Sequence, residues 1–167
     1  MQVIFPRLPD HQRSYSLVER DDGVVYRLNG GVAGPRLPHD IVHLVVEREL
    51  RIRDGIWAGI AAGVVFSSMT YVSGRRPPHA ADRSKRLIRE FRQQGLRAEM
   101  LADLVADVAA IEAPTSVQIR QRAAVKLAVL PSAEVDPVMI AAAAQALQVE
   151  AARWARLRVG QELCYEL

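Results

Sequence analysis

The sequence predicts an α+β fold in which a small N-terminal antiparallel sheet packs with a mainly helical body. Residues 1–36 carry strand-like runs separated by turn signals, and residues 37–157 carry mostly helical patterns. Residues 158–167 return to an alternation of apolar and polar side chains. Because such an alternation is typical of a half-buried strand, the C-terminus is expected to rejoin the N-terminal sheet. A strand of this kind would close one domain over residues 1–167.

The N-terminal sheet is predicted from a short strand at residues 3–5 and a hairpin. Two longer runs, residues 14–19 and 24–28, bracket the turn Asp21-Asp22-Gly23. Asp-Gly between two such runs is a strong hairpin signal, since glycine accepts the positive φ of a tight turn. The glycine-rich residues 29–35 then form a flexible connection to the first helix.

Residues 38–52 predict a centrally buried first helix. Pro38 suits the first helical position and Asp40 suits the first turn. In an alternative start, Asp40 itself is the N-cap and His39 lies outside the helix. Apolar side chains point almost all round this helix, which favours burial on every side. They are Ile41, Val42, Leu44, Val45, Val46, Leu50 and Ile52.

Residues 55–74 carry no charge and approach the length of a membrane-spanning helix. Gly55, Gly59 and Gly63 have the small-x-x-x-small spacing of packed membrane helices. Ser67, Ser68, Thr70 and Ser73, together with globular flanks, favour another interpretation, in which this run is the central core element of the protein. The glycines would then let another backbone pack closely, for example that of the preceding helix.

Three more helices are expected before the last one. Residues 82–94 form an amphipathic helix ended by Gly95, residues 96–112 form a helix stopped before Pro114, and residues 116–130 form a helix bounded by Pro131. Asp136-Pro137 is a good start for a long helix over residues 136–157. A second domain boundary near residues 75–78 is disfavoured by the returning C-terminal strand.

The main chemical signal is a set of metal-ligand residue types four apart: His39, His43 and Glu47, with Asp40 beside the first. Steps of four residues place His39, His43 and Glu47 along one helical stripe. His39 and Glu47 are about 12 Å apart along a straight helix, too far to share one ion comfortably. The candidate pairs are therefore His39 with His43, or His43 with Glu47. Either pair needs a further ligand from elsewhere in the fold.

The run His39-Asp40-Ile41-Val42-His43 resembles the zincin metalloprotease signature His-Glu-x-x-His, with Asp in place of Glu. This resemblance implies zinc ligands at His39 and His43, and Asp40 as the general base that activates a water. It covers five residues and departs from the signature at the catalytic one.

A longer stretch resembles a group of uncharacterised bacterial proteins, mainly from actinobacteria. They share a Leu-Pro-His-Asp-x-x-His-x-x-x-Glu run, here residues 37–47, followed by a glycine-rich apolar stretch. They also tend to end in a Trp-containing helix and a short strand, like residues 154–165 here. The resemblance implies a shared fold and no known activity.

Composition narrows the possible environments and partners. The 167 residues are 50% hydrophobic and carry a formal net charge of +3. The one cysteine, Cys164, excludes an intramolecular disulfide, and the N-terminal residues lack a signal-peptide pattern, so a cytoplasmic protein without a membrane partner is expected. A basic helix face could bind an acidic partner, whereas nucleic-acid binding is disfavoured by the absence of a recognition-helix signature. That face comprises Lys85, Arg86, Arg89 and Arg92.

The remaining polar residues are weaker candidates. His79 could approach the histidine cluster from a loop, and Asp103 with Asp107 could supply oxygen ligands. Cys164 is expected to be a packed strand residue rather than a nucleophile. No phosphate-binding glycine loop and no nucleophile elbow is evident.

Three function classes remain. The first is a zinc-binding domain that uses His39 and His43, with hydrolysis through Asp40 as an extension. The second is a non-enzymatic structural or interaction domain in which His43 and Glu47 form a buried hydrogen-bonded pair. The third is a basic-face binder of nucleic acid or of an acidic partner.

Overall fold

The computed structural model describes residues 1–130 and 135–167. The strands in these two stretches are β1 (Gln2–Pro6), β2 (Arg13–Glu19), β3 (Val25–Val32), β4 (Met69–Ser73) and β5 (Glu162–Glu166). The helices are α1 (His39–Glu49), α2 (Ile56–Ala62), α3 (Ala80–Glu90), α4 (Arg92–Ala109), α5 (Ser116–Lys126) and α6 (Pro137–Ala155). The α+β prediction is confirmed. The proposed boundary at Pro131 lies outside the described residues.

The sheet is antiparallel throughout, in the order β4-β3-β2-β1-β5. The predicted hairpin is β2–β3, and Gly23 takes a φ of 72° in its turn. The predicted C-terminal strand is β5, which pairs with β1 so that Val3 lies opposite Tyr165. The chain ends therefore meet in the sheet.

The charge-free residues 55–74 do not form one central element. Helix α2 ends at Gly63, whose φ of 114° suits glycine and stops the helix. The chain then forms β4, which lies at the sheet edge with four of its five residues exposed. The expectation of a single core element is thus wrong, because β4 pairs with β3 on one side only. None of the helices in the described ranges has the length and apolar character that crossing a bilayer requires.

The sequence predicted that the helix before α4 ends at Gly95. In the structure the boundary between α3 and α4 lies at Phe91 instead. Gly95 is buried inside α4, where a Cβ would lie 2.8 Å from the Phe91 ring. Gly59 of α2 faces the same ring, since its Cβ would lie 3.3 Å away. These two glycines therefore make room for an aromatic side chain. A close approach to α1 occurs at Gly55, beside Glu47.

Helix α1 lies in the middle of the fold, in contact with α2, α4, α6 and β3. Its second and third turns are buried, from Leu44 to Glu47, as the all-round apolar pattern predicted. Pro38 is the N-cap and His39 the first helical residue. Pro38 therefore lies one position before the first helical position expected for it, and the alternative start with Asp40 as N-cap is wrong. The first turn thus reaches the surface while the next turn enters the core.

Candidate metal centre

Three side chains from α1 and α4 converge at the start of α1. His39 Nε2 lies 3.1 Å from His43 Nε2 and 3.3 Å from Glu99 Oε2. His43 Nε2 lies 3.2 Å from the same Glu99 oxygen. The three atoms therefore form a nearly equilateral triangle, and this group could hold a metal ion.

The helix geometry explains which side of this group is open. His39 and His43 are one turn apart and share a face of α1, with ring planes at 88° to each other. The His43 side chain is only 4% exposed, whereas those of His39 and Glu99 are 58% and 53% exposed. The triangle thus has a buried side at His43 and an accessible side toward solvent.

Protons alone do not account for all three short distances. An imidazole nitrogen carries either one proton or one lone pair, directed along the ring plane. At most two edges of the triangle can therefore be ordinary hydrogen bonds, with both histidines donating to Glu99. The Nε2–Nε2 contact of 3.1 Å would then have no proton between its atoms.

The spacing of the three donors suits a divalent metal. Donors bound at about 2.1 Å lie about 3.0 Å apart around an octahedral ion and about 3.4 Å apart around a tetrahedral one. The observed distances of 3.1 to 3.3 Å fall between these values. Two imidazoles and one carboxylate are also a donor set that zinc and ferrous iron accept.

Glu47 lies at the opposite edge of the His43 ring from Glu99. Its carboxylate accepts hydrogen bonds from the backbone N–H groups of Ile56 at 2.7 Å and Trp57 at 3.1 Å. Its Oε1 lies 3.7 Å from His43 Nδ1, a buried atom with no hydrogen-bond partner in the described residues. Glu47 therefore caps α2 and faces Nδ1, while Nε2 faces the cluster.

The electrostatic environment of His43 favours its charged form when no metal is bound. Burial by itself would lower the pKa of the imidazole, but Glu47 and Glu99 outweigh that effect. The resulting pKa lies above the ordinary value of 6.5. A bound cation would replace this proton as the partner of the carboxylate.

Asp40 lies beside the cluster in a cleft of about 350 Å³, which His39, Gly34 and Trp154 also line. Burial raises the pKa of the Asp40 carboxyl, the nearby histidines lower it, and Glu99 raises it further, with a net rise. The residue suggested as a general base is therefore next to the cluster and partly buried.

Comparison with models of known protein families, with curated proteins and with solved structures finds no match for this chain. The resemblances to the zincin signature and to the actinobacterial proteins therefore stay predictions.

The weaker candidates lie outside the cluster. His79 is the N-cap of α3 with a φ of 56° and is not part of the group. Asp103 and Asp107 lie 3.8 and 3.0 Å from Lys126, linking α4 to α5. Cys164 is exposed rather than packed, and desolvation of the sulfur followed by the neighbouring Glu162 raises the pKa of its thiol.

The predicted basic face is divided between two helices. Lys85, Arg86 and Arg89 are exposed on α3, whereas Arg92 is the first residue of α4 and is also exposed. Ser84 fixes α3 to the chain after α2, since its hydroxyl accepts from Val65 N–H at 2.9 Å. The three basic residues on α3 thus occupy its outer side, and Arg92 extends this basic surface onto α4.

Sequence reasoning missed Glu99. It is 56 residues from His43 and carries no motif of its own. The predicted helix over residues 96–112 placed it on a helix, but no pattern indicated which side of that helix faces α1. Only the packing of α4 on α1 brings this carboxylate to the histidines.

Proposed function

We propose that this protein is a divalent-metal-binding domain, with zinc as the metal, held by His39, His43 and Glu99. The observation that carries the proposal is the triangle of donor atoms 3.1 to 3.3 Å apart, which protons cannot fully satisfy. Two histidines and one glutamate are a ligand set of catalytic zinc sites, where a fourth position stays open. The exposed side at His39 and Glu99 provides room for that position.

Glu47 supports the same proposal as a positioning residue. A metal-binding histidine usually directs its other ring nitrogen to a carboxylate or carbonyl, which sets its tautomer and orientation. Glu47 is held by two backbone N–H groups and faces His43 Nδ1. This arrangement supports a role for Glu47 in orienting the His43 ring, in preference to the alternative in which it joins His43 as a ligand.

Hydrolysis is the extension of this proposal. Bound zinc supplies Lewis-acid activation of a carbonyl or of water. The cleft beside His39 would admit the substrate, and Asp40, which lines that cleft, would accept the proton of the attacking water. This role follows the resemblance to the zincin signature, with a carboxylate one methylene shorter.

A second candidate is a non-enzymatic domain in which these residues only stabilise the fold. The capping of α2 by Glu47 favours it, because a buried carboxylate with two N–H donors contributes to stability without any metal. The predicted His43–Glu47 hydrogen bond is not formed, since His43 Nδ1 and Glu47 Oε1 lie 3.7 Å apart, and in this case the pair is a buried electrostatic contact. His39 and Glu99 are then surface residues.

Elemental analysis and zinc titration of the purified protein distinguish these candidates. We expect near-stoichiometric zinc, and a loss of affinity of at least tenfold in His39→Ala, His43→Ala and Glu99→Ala. His79→Ala is the matched control, since it removes an exposed histidine outside the cluster. A parent protein that stays metal-free after incubation with zinc would support the structural candidate.

The catalytic extension is tested separately with Asp40→Asn. This variant should retain zinc, since Asp40 is not one of the three donors, and should lose hydrolysis of a peptide or ester substrate. Zinc binding without any hydrolysis by the parent would leave a metal site and remove the catalytic extension.

A further inference from the structure

Strand β4 presents an unpaired edge to solvent. It pairs with β3 on one side and is the last strand of the sheet in the described part of the chain. The Asn29 N–H donates to the Ser68 carbonyl, so these two residues form a hydrogen-bonded pair. Hydrogen-bonded and non-hydrogen-bonded pairs alternate along antiparallel strands. The Tyr26–Tyr71 pair is therefore a non-hydrogen-bonded one, and the backbone N–H and C=O of Tyr71 point away from β3. Neither group hydrogen-bonds to a residue outside the sheet within the described ranges.

The two edges of the sheet differ in their protection. Strand β5 carries Glu162 and Glu166, and charged side chains on an edge oppose pairing with another chain. Strand β4 has the sequence Met-Thr-Tyr-Val-Ser and carries no charge. Its edge is therefore open to an additional strand along residues 69–71, before the register of the β3–β4 pair shifts between Tyr71 and Ser73.

A groove runs beside this edge between β4 and α3. It has a volume of about 310 Å³, an apolar floor that includes Val65 and Met69, and Ile88 of α3 on its far side. Met69 and Tyr71 are two residues apart, so both side chains lie on the face of the sheet that borders the groove. Alternate side chains of a strand added to β4 would enter this groove.

The rim of the groove is basic. Arg76 lies over the Tyr71 ring at 4.7 Å from its centroid, and Lys85 lines the opposite wall. Residues 75–92 contain seven basic and two acidic side chains, an excess of five positive charges, whereas the whole chain has a net charge of only +3. The remainder of the chain is therefore net acidic, and the basic character is concentrated in the segment that contributes Arg76 and Lys85 to the groove.

We propose that β4 binds an extended acidic segment of a partner protein as an additional strand. Backbone hydrogen bonds to Tyr71 would supply affinity. The side chains at alternate positions, which face the groove, would include an apolar one over Val65 and Met69 and acidic ones beside Arg76 and Lys85. This surface is formed by elements other than the histidine cluster, so the proposal does not depend on metal binding.

Two other possible occupants of the β4 edge are less suitable: a second copy of this chain and a single-stranded nucleic acid. Pairing of β4 with β4 of a second copy would bring together two segments that each carry five excess positive charges, and such pairing is repulsive. A single-stranded nucleic acid needs aromatic rings with a free face for stacking, whereas Arg76 already covers one face of the Tyr71 ring.

The test uses a fluorescent seven-residue peptide, Thr-Glu-Thr-Val-Thr-Glu-Thr, whose two glutamates and one valine lie on the same face of the strand. We expect saturable binding that weakens with salt, together with shifts of the Tyr71 amide in NMR spectra. Arg76→Glu/Lys85→Glu should weaken binding at least tenfold. The matched control is Arg120→Glu/Arg122→Glu, which changes net charge equally on the exposed side of α5 and should bind as the parent does.

Two further ligands identify the mode of binding. Two peptides are compared, one N-methylated at the odd residues and one at the even residues. Only one of these two sets of N–H groups can pair with β4, so one methylated peptide should bind at least tenfold more weakly than the other. Equal binding of both methylated peptides, or no binding of the parent peptide at low salt, would overturn the proposal. So would preferential binding of an oligothymidylate at the same residues, or dimerisation through β4.

Discussion

Glu47 connects α1 to α2 through one buried carboxylate. Both of its oxygens accept backbone N–H groups at the start of α2, and a Cβ at Gly55 would lie 2.3 Å from the carboxylate. Gly55 is therefore required for this close approach rather than for flexibility. The same carboxylate faces His43 Nδ1, so a change at Glu47 would affect both the α2 cap and the orientation of the imidazole.

His43 makes the stability of the metal-free protein depend on pH. Its folded pKa is raised above 6.5 by Glu47 and Glu99, against the effect of burial. The stabilisation is therefore fully present below about pH 6.5 and is lost as pH rises through the folded pKa, with a slope of at most about 1.4 kcal/mol per pH unit. Urea unfolding in the presence of a chelator should show this fall. His43→Asn should remove this component of the pH dependence, and an identical pH profile in the variant would contradict the assignment.

At the level of elements, the packing of α2, α3 and α4 depends on one aromatic ring. Phe91 occupies the junction between α3 and α4, and its ring lies between Gly59 and Gly95. The sequence suggested that Gly95 ends a helix, since glycine is common at C-caps. In the fold α4 continues through Gly95, and the absence of a side chain at this residue leaves space for the Phe91 ring.

Gly95→Ala tests this packing. In an unobstructed helix the substitution would stabilise by about 1 kcal/mol. Here the new Cβ would lie 2.8 Å from the Phe91 ring, and Gly59 limits the ring on another side. We expect net destabilisation of about 1 to 3 kcal/mol in urea unfolding. In a Phe91→Leu background, Gly95→Ala should be neutral or stabilising. Stabilisation in the parent background would show that the ring moves aside freely.

At the level of the whole molecule, β5 joins the end of the chain to its beginning. Leu163 and Tyr165 are buried, and the Tyr165 hydroxyl donates to Glu150 of α6 at 2.7 Å. Strand β5 thus covers one edge of β1 and satisfies a buried carboxylate of the last helix. The core that surrounds α1 includes residues from this strand.

Removal of residues 161–167 should therefore abolish cooperative unfolding. The deletion exposes β1, removes two buried side chains and leaves Glu150 without its hydroxyl donor, at a combined cost of about 5 kcal/mol. That cost approaches the whole stability of many small domains. Thermal melting followed by circular dichroism measures the effect. Deletion of Leu167 alone is the control, because this residue lies after β5 and is 46% exposed. A truncated chain that melts like the control would contradict the prediction.

Local patterns were sufficient for much of this architecture. The hairpin, the returning strand, the starts of α1 and α6 and the burial of α1 depend on turn residues, caps and periodicity, which act within a few residues. Strand β4 was missed because an uncharged run with regularly spaced glycines also suits a helix. Its strand conformation depends on pairing with β3, which is distant in sequence.

The spacing of four residues was enough to predict that His39 and His43 share one face of a largely buried helix, because this spacing is a local property of helical geometry. Which carboxylates lie beside the two histidines depends on long-range packing. It brought Glu99 of α4 to the two Nε2 atoms and directed Glu47 to the start of α2. The physical reason is that the rotation of α4 against α1 is set by packing across the core, to which many distant residues contribute.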